Sequence, residues 1–514
     1  MHIVSAVRHL AFVASVLLLV QSSSAFATNK VNLLDFITSG NGTENDPYSW
    51  AEVAFVAAQA SLGANGGTVY VTNGWYQLKN AIVIRNNVRV QGQSRDGTIF
   101  RLVRDGYQVM VSMESNTRLE TLTLDGSGDA SSFATMGVKV FSVTNALLSG
   151  CRLRSIDGAG TLIREDVSDF SVRDCLFIRS SYASWVENIH NTRNVTYSNC
   201  VFAGGNSTTI QWNNPFDTLP PDANFVVENC WFDEWGDFAI GLAHMSNVKI
   251  RNNTMLARGT NAYNSIIHIE DGTTDVSIEN NNMANHGTNG QCIEIQGCDA
   301  DICQASGHPL RRSRNIRVSH NWLHDASQVA LTGFNSDDVL VVTNFFQNNY
   351  VHTDFWKNMS NLTLVGNWFM DLPARAENRT VVVAGNGTTN WNITVTNNIF
   401  AGEPAAGTIY TQISNLVAQP NWSYAAYRQA FGEHSRWTQI ALRPDQFNRT
   451  APGLLMTGRN GLPNAQYSVR WTTNIASSMT NWIQLGSGVC DEAGHFSYET
   501  PVGTGNRFFN FQIP

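Results

Sequence analysis

From Asn87 onward the chain repeats one phrase: a turn-forming Asn or Asp, a stretch in which apolar and polar residues alternate, then a second Asn or Cys and an apolar pair. It reads NVRVQG from Asn87, NTRLETLTL from Asn116, NALLSGCRL from Asn145, DFSVRDCLF from Asp169, NVTYSNCVF from Asn194 and NFVVENCWF from Asn224. Six more follow: NVKIRNNTM from Asn247, DVSIENNNM from Asp275, NIRVSHNWL from Asn315, DVLVVTNFF from Asp338, NLTLVGNWF from Asn361 and NITVTNNIF from Asn392. The spacing is 23 to 31 residues, apart from one gap of 40 between Asp275 and Asn315. Alternation with period two makes each unit a strand. Recurrence at this length makes the array a solenoid, because one coil cannot bury its apolar face and a stack can. The expectation is an all-β fold, a right-handed parallel β-helix of about 12 coils.

Like positions then stack in adjacent coils. Cys151, Cys175, Cys200 and Cys230 occupy one row, which passes into Asn253, Asn281, Asn321, Asn344, Asn367 and Asn398. The cysteines read as core and the amides as hydrogen-bonding ladders across the bend. Several Asn-x-Ser/Thr sequons, among them Asn194, Asn361, Asn392 and Asn421, are explained by this turn motif without glycosylation.

A solenoid needs covered ends. The stretch Trp50 to Ala60 reads as a capping helix, with Ser49 as N-cap and Glu52 as its capping-box partner. Beyond Pro452, LLMTGRNG, YSVRWTTN, NWIQLGSG, GHFSYET and RFFNFQIP read as short strands of a small β-module. The domain reading is a leader at 1–27, an N-terminal cap at 28–80, the β-helix at 81–450 and the module at 451–514.

Charge and cysteine usage narrow the partners. A net charge of −8 without any Lys/Arg block argues against nucleic acid. Arg8 and His9, the apolar run Leu10 to Val20 and Ala25-Phe26-Ala27 form a leader with a small-residue cleavage site, so a secreted or periplasmic protein is expected, with no membrane span. Nothing asks for a second subunit, and a monomer is expected. Cys292, Cys298 and Cys303 crowd the long insertion, where a local disulfide is expected; with His308 the spacing also admits zinc.

The segment Gly66-Gly67-Thr68-Val69-Tyr70-Val71 with Trp75-Tyr76 after the capping helix resembles the start of the pectate-lyase-like superfamily of right-handed parallel β-helices. The PbH1-type repeats extend the likeness to about residue 410, and Tyr424 to Gly432 with His434-Ser435 looks like the closing segment of bacterial members. The resemblance implies a fold and a polysaccharide partner. It does not imply a reaction, since the superfamily hosts lyases, hydrolases, epimerases and non-enzymes. The signature phrases of its pectate lyases, polygalacturonases and alginate lyases are absent, so no catalytic residue carries over.

Candidate chemistry comes from the strand before each phrase. With its apolar residues inward, one outward column runs Gln211, Gly241, His268, Glu294, Ala330, His352, and the other Asn213, Ala243, Glu270, Gln296, Thr332, Asp354. Gly241 and Ala243 would leave a hollow beside an acidic, imidazole-bearing patch. Glu270 and Glu294, roughly 8 Å apart from one stack step and one strand step, would suit an inverting glycosidase, with His268 tuning Glu294. Gln211, Asn213, Gln296, His352 and Asp354 would line the glycan. A second candidate is Asp233-Glu234-Trp235-Gly236-Asp237: Asp233, Glu234 and Asp237 as ligands for Ca2+, the one cofactor the sequence suggests, and Trp235 as a sugar platform. His244, Lys249 and Arg251 would then serve a lyase. The reading favours a hydrolase over a lyase, with a non-catalytic glycan-binding or adhesion solenoid as the rival from another class.

Overall fold

The computed structural model describes residues 29–103, 108–126, 135–187, 191–213, 222–257, 265–298, 311–370, 379–401, 408–418 and 420–431. Toward the C-terminus it describes 441–442, 446–449, 454–458, 466–472, 483–489, 496–500 and 508–512. The leader at 1–27 lies outside them, and no described helix is long and apolar enough to cross a membrane.

Residues 29–423 wind into three parallel sheets of 15, 13 and 14 strands, each coil contributing one strand to each in turn. All twelve phrases open a strand of the 15-stranded sheet, which three strands the phrase does not announce, Lys30–Asn32, Gly67–Val71 and Ile413–Val417, extend. The opening Asn or Asp explains itself: in every copy it has positive φ, between 51° and 64°. Side chains that bond their own backbone tolerate this left-handed corner, and β-branched ones do not. Exposed amides join the corners, Asn145 donating to Asn116 at 3.0 Å and Asn392 to Asn361 at 2.9 Å.

The second corner carries the buried row. Asn344 donates from Nδ2 to the carbonyl of Val318 at 2.8 Å and to Oδ1 of Asn367 at 3.0 Å. Its own Oδ1 accepts the backbone N–H and side-chain amide of Asn321 at 2.9 and 3.0 Å. The pattern repeats from Asn253 to Asn421, so the bend leaves no ladder amide unmatched. Cys151, Cys175, Cys200 and Cys230 continue the row as free buried thiols, and burial pushes the first three well above the usual thiol range. Rings stack inside in the same way, Phe177 on Phe202 on Phe232 at 5.1 and 4.6 Å.

Helix α1 (Ala51–Ser61) covers the N-terminal end with Ala51, Ala54, Phe55 and Ala58. Gln59 ties it to the coil beneath, donating to the carbonyl of Val83 at 2.8 Å and accepting the Arg85 N–H at 2.9 Å. The capping box expected at Ser49 and Glu52 is not formed. Trp50 is the cap residue, left-handed at φ 55° and without a side-chain cap bond. Glu52 turns inward instead, toward the Lys79 N–H and the Asn80 amide at 3.4 and 3.5 Å.

A second compact unit comprises Tyr424–Pro514. All five expected strands form, Leu454–Gly458, Gln466–Thr472, Ile483–Val489, Phe496–Thr500 and Phe508–Gln512, in two antiparallel sheets. Gln446–Arg449 pairs with Leu454–Gly458 and Tyr424–Phe431 is helical, so the unit begins well before residue 451. His434 and Ser435 lie outside the described residues.

Candidate active site

The site lies on the outer face of the 13-stranded sheet. Six successive rungs build it: β1 (Ile210–Asn213), β2 (Ile240–Ala243), β3 (Ser265–Glu270), β4 (Gln291–Gln296), β5 (Val329–Phe334) and β6 (Val351–Lys357). Pairing sets Gln211 on Gly241, Gly241 on His268 and His268 on Glu294, with Asn213 on Ala243 and Ala243 on Glu270. To that point the register matches the one read from sequence.

At β5 it departs. Glu294 pairs with Thr332 and then Asp354, and Gln296 pairs with Phe334. These strands bend, placing two consecutive residues inward: Ile266 with Ile267, Cys292 with Ile293, Ala330 with Leu331, His352 with Thr353. Strict alternation therefore misassigned Ala330 and His352, which face the interior. His352 is fully buried against Phe346 and Phe369, and burial depresses its imidazole to about 3. Asp354 does face outward, in the column of Glu294 rather than that of Glu270.

His268, Glu270 and Glu294 form one unit. The imidazole is held between the two carboxylates, Nδ1 to Glu294 and Nε2 to Glu270, each at 3.1 Å. Ser265 donates to Glu294 at 2.8 Å, and the Gln296 amide lies 2.7 Å from His268 Nε2. Burial pulls the His268 pKa down, but hydrogen bonds and charge from Glu270 and Glu294 outweigh it and lift it to about 9. The same Gln296 amide nitrogen donates to Glu270 at 3.1 Å, so it bridges the imidazole edge and that carboxylate. Burial raises Glu294, yet the His268 and Ser265 contacts hold it below the ordinary carboxylate range. The neighbouring Asp271 carboxyl is pushed up to about 6 by burial and by Glu270, against His268 and Arg311. Formal charges of His268, Glu270 and Glu294 sum to −1.

Phe238 was not found by sequence reasoning. Its ring stacks on His268 with centroids 4.4 Å apart and 20° between planes. A Cβ on Gly241 would lie 3.5 Å from that ring and from Thr208. The expected hollow at Gly241 is thus the space in which Phe238 lies, and it sets the height of the imidazole instead of receiving a sugar. The available signal was position: an aromatic three residues before a glycine rung.

The acidic knot does not present its aromatic ring. Trp235 is only 3 % exposed and belongs to the core, so it presents no platform. Gly236 beside it lets the backbone pass close to the preceding coil, since a Cβ there would lie 2.2 Å from the Asn206 carbonyl oxygen. Among the described residues no three His, Cys, Asp or Glu gather to hold a metal, so Asp233, Glu234 and Asp237 do not converge. His244 is buried in a left-handed turn, and Lys249 and Arg251 lie on the 15-stranded sheet, where Arg251 pairs with Glu228 at 2.7 Å. The bases expected for a lyase are therefore not with the acids. Cys298 is disulfide-bonded, which removes its thiolate from any zinc set, while Cys292 is free and buried.

In sequence no curated protein matches the chain. Among solved structures, the tailspike protein of E. coli bacteriophage HK620, in complex with a pentasaccharide, is similar at 13% identity, covering 94% of this chain and 93% of its own with a TM-score of 0.56. PfbA, a surface adhesin of Streptococcus pneumoniae, is similar at 12% identity, covering 77% and 94% with a TM-score of 0.52. At such identities these likenesses concern the fold alone. The family model described as right handed beta helix region matches residues 107–283 and 221–369, together just over half of the 514 residues, and the chain belongs to that family.

Proposed function

We propose that this protein acts outside the cell on a polysaccharide, as a glycoside hydrolase whose site is His268, Glu270 and Glu294. The observation that carries the reading is the imidazole held between two carboxylates on the outer face of the stack. Unlike ordinary solvated charges, the three are half-buried or more, with His268 side-chain exposure at 9% and Glu294 at 20%. The carbohydrate complex of the tailspike relative supports a glycan partner.

Glu294, held ionised, takes a proton from water as its oxygen bonds to the anomeric carbon. As the glycosidic C–O bond breaks, the leaving oxygen takes the proton from Nε2 of the His268 imidazolium, on the edge shared with Glu270, the most exposed of the three at 34%. A base and a separate proton donor on one face suit inversion, in which water must fit between base and sugar. A lyase reading is weaker on electrostatic grounds. A protonated His268 is no base, and a net charge of −1 repels the uronate a lyase must hold.

The purified protein incubated with neutral and acidic polysaccharides tests this. New reducing ends without ultraviolet-absorbing product are expected, and unsaturated uronate would exclude hydrolysis. Binding without turnover would favour the adhesion reading, which PfbA illustrates.

A further inference from the structure

On the C-terminal side of the three charged residues, the outer face changes from polar to aromatic. Phe334 follows Gln296 in the same column, one rung or roughly 4.8 Å on. The pairing of β5 with β6 then slips between Gly333 and Phe334: Gly333 faces Phe355, whereas Phe334 faces Lys357. Trp356 is the extra residue of this bulge. Phe355 beside it is buried in the core, and Gly333 admits that ring, because a Cβ there would lie 3.0 Å from it. Bulges re-aim single side chains, often beside functional sites.

Trp356 faces outward two residues beyond Asp354, and the bulge leaves it opposite no partner, partly exposed, with its ring centroid 4.6 Å from Phe334 and 43° between planes. The strand edge is fixed from two sides. Thr332 donates to the Asp354 carbonyl at 2.8 Å, and Arg312 reaches the carbonyls of Ser336 and Asn358 at 3.0 and 2.6 Å while pairing with Asp337 at 2.8 Å. The backbone that carries the two rings is therefore tied down on either side of them.

We propose that Trp356, backed by Phe334, is a sugar-stacking subsite that holds the glycan on the C-terminal side of His268, Glu270 and Glu294, so that the chain runs along the axis of the stack. This rests on the hydrolase reading above. The occupant is a neutral pyranose chain: the C–H face of such a ring packs on an aromatic plane, and one carrying carboxylates would be repelled by the adjoining acids. Trp356 makes no contact with the reacting groups, so it acts on binding and placement.

The test uses the full-length protein, Trp356→Ala, Trp356→Phe and Glu294→Gln. Calorimetric titration and initial rates are measured with oligosaccharides of glucan, mannan and galactan, and with polygalacturonate as the anionic comparator. Trp356→Ala is expected to weaken binding and raise KM roughly tenfold for longer neutral oligomers, with kcat within about twofold of the parent, and Trp356→Phe to recover most of the loss. Wild-type affinity and KM in Trp356→Ala, beside an inactive Glu294→Gln, would overturn the subsite and leave the hydrolase reading standing. A wild-type protein that neither binds nor cleaves any probe would overturn both.

Discussion

The buried amide corner and the outer face of the 13-stranded sheet belong to the same coils and follow opposite rules. At the corner, Asn253, Asn281, Asn321, Asn344, Asn367 and Asn398 repeat one side chain with one set of bonds, and each is fully or almost fully buried. On the outer face no two successive rungs are alike: Gly241, His268, Glu294, Thr332 and Asp354 share a column. Uniformity along the stack is what an architecture needs, since identical groups satisfy one another. A site needs unlike groups facing each other, so departures from the repeat are where chemistry gathers.

Substitutions can break that contrast. The largest effect is expected from Glu294→Gln, which removes the base and one anchor of His268: activity should fall by about 10²- to 10⁴-fold, with a thermal midpoint close to the parent's. A comparable loss of stability without loss of rate would place Glu294 with the scaffold. The converse variant, Asn344→Leu, leaves the Asn321 donors and the Val318 carbonyl unmatched inside the stack. It should lower stability by about 3 kcal/mol in denaturant titration while the folded fraction keeps its specific activity.

Two pH limbs sharpen the comparison further. His352 has a folded pKa of about 3 and an unfolded value near 6.5, so it is neutral in the fold and takes up a proton on unfolding. Stability is therefore complete above pH 6.5 and declines as the pH falls toward 3, by about 2 kcal/mol at pH 5 for this group. His352→Leu should flatten that acid limb. His268 runs the other way: its raised pKa contributes stability below pH 6.5 that is lost as pH rises through about 9, and activity should fall over the same alkaline range. Absence of an alkaline limb in kcat would separate His268 from the chemistry.

The smallest effect belongs to the exposed corner. Asn361→Gly keeps the positive φ and loses two exposed bonds, one to Asp338 and one from Asn392, costing a few tenths of a kcal/mol. Asn361→Val should cost more, about 1 to 2 kcal/mol, because a β-branched residue resists the left-handed corner.

Much of the architecture was legible because its determinants are local and repeated. The Asn at each corner announces its backbone angle, and the alternation announces the strand. The pair His268 over Glu294 was legible from the same register, since four aligned residues per rung suffice while the rungs are regular. Legibility ended where strands bend. The double inward pairs moved Ala330 and His352 to the interior, which a period of two does not encode, and Trp356, outward by alternation from Asp354, lay beyond the four aligned positions of its rung. Phe238 escaped for another reason, because it reaches the site from a turn outside the aligned strand. Trp235 misled because a turn rich in carboxylates looks exposed although its ring fills the core.

The buried amides all point one way: the side-chain oxygen of each later Asn accepts from the earlier one, through Asn421 back to Asn253. Each coil therefore ends in donors that only the following coil can satisfy, and the row has a direction along the stack.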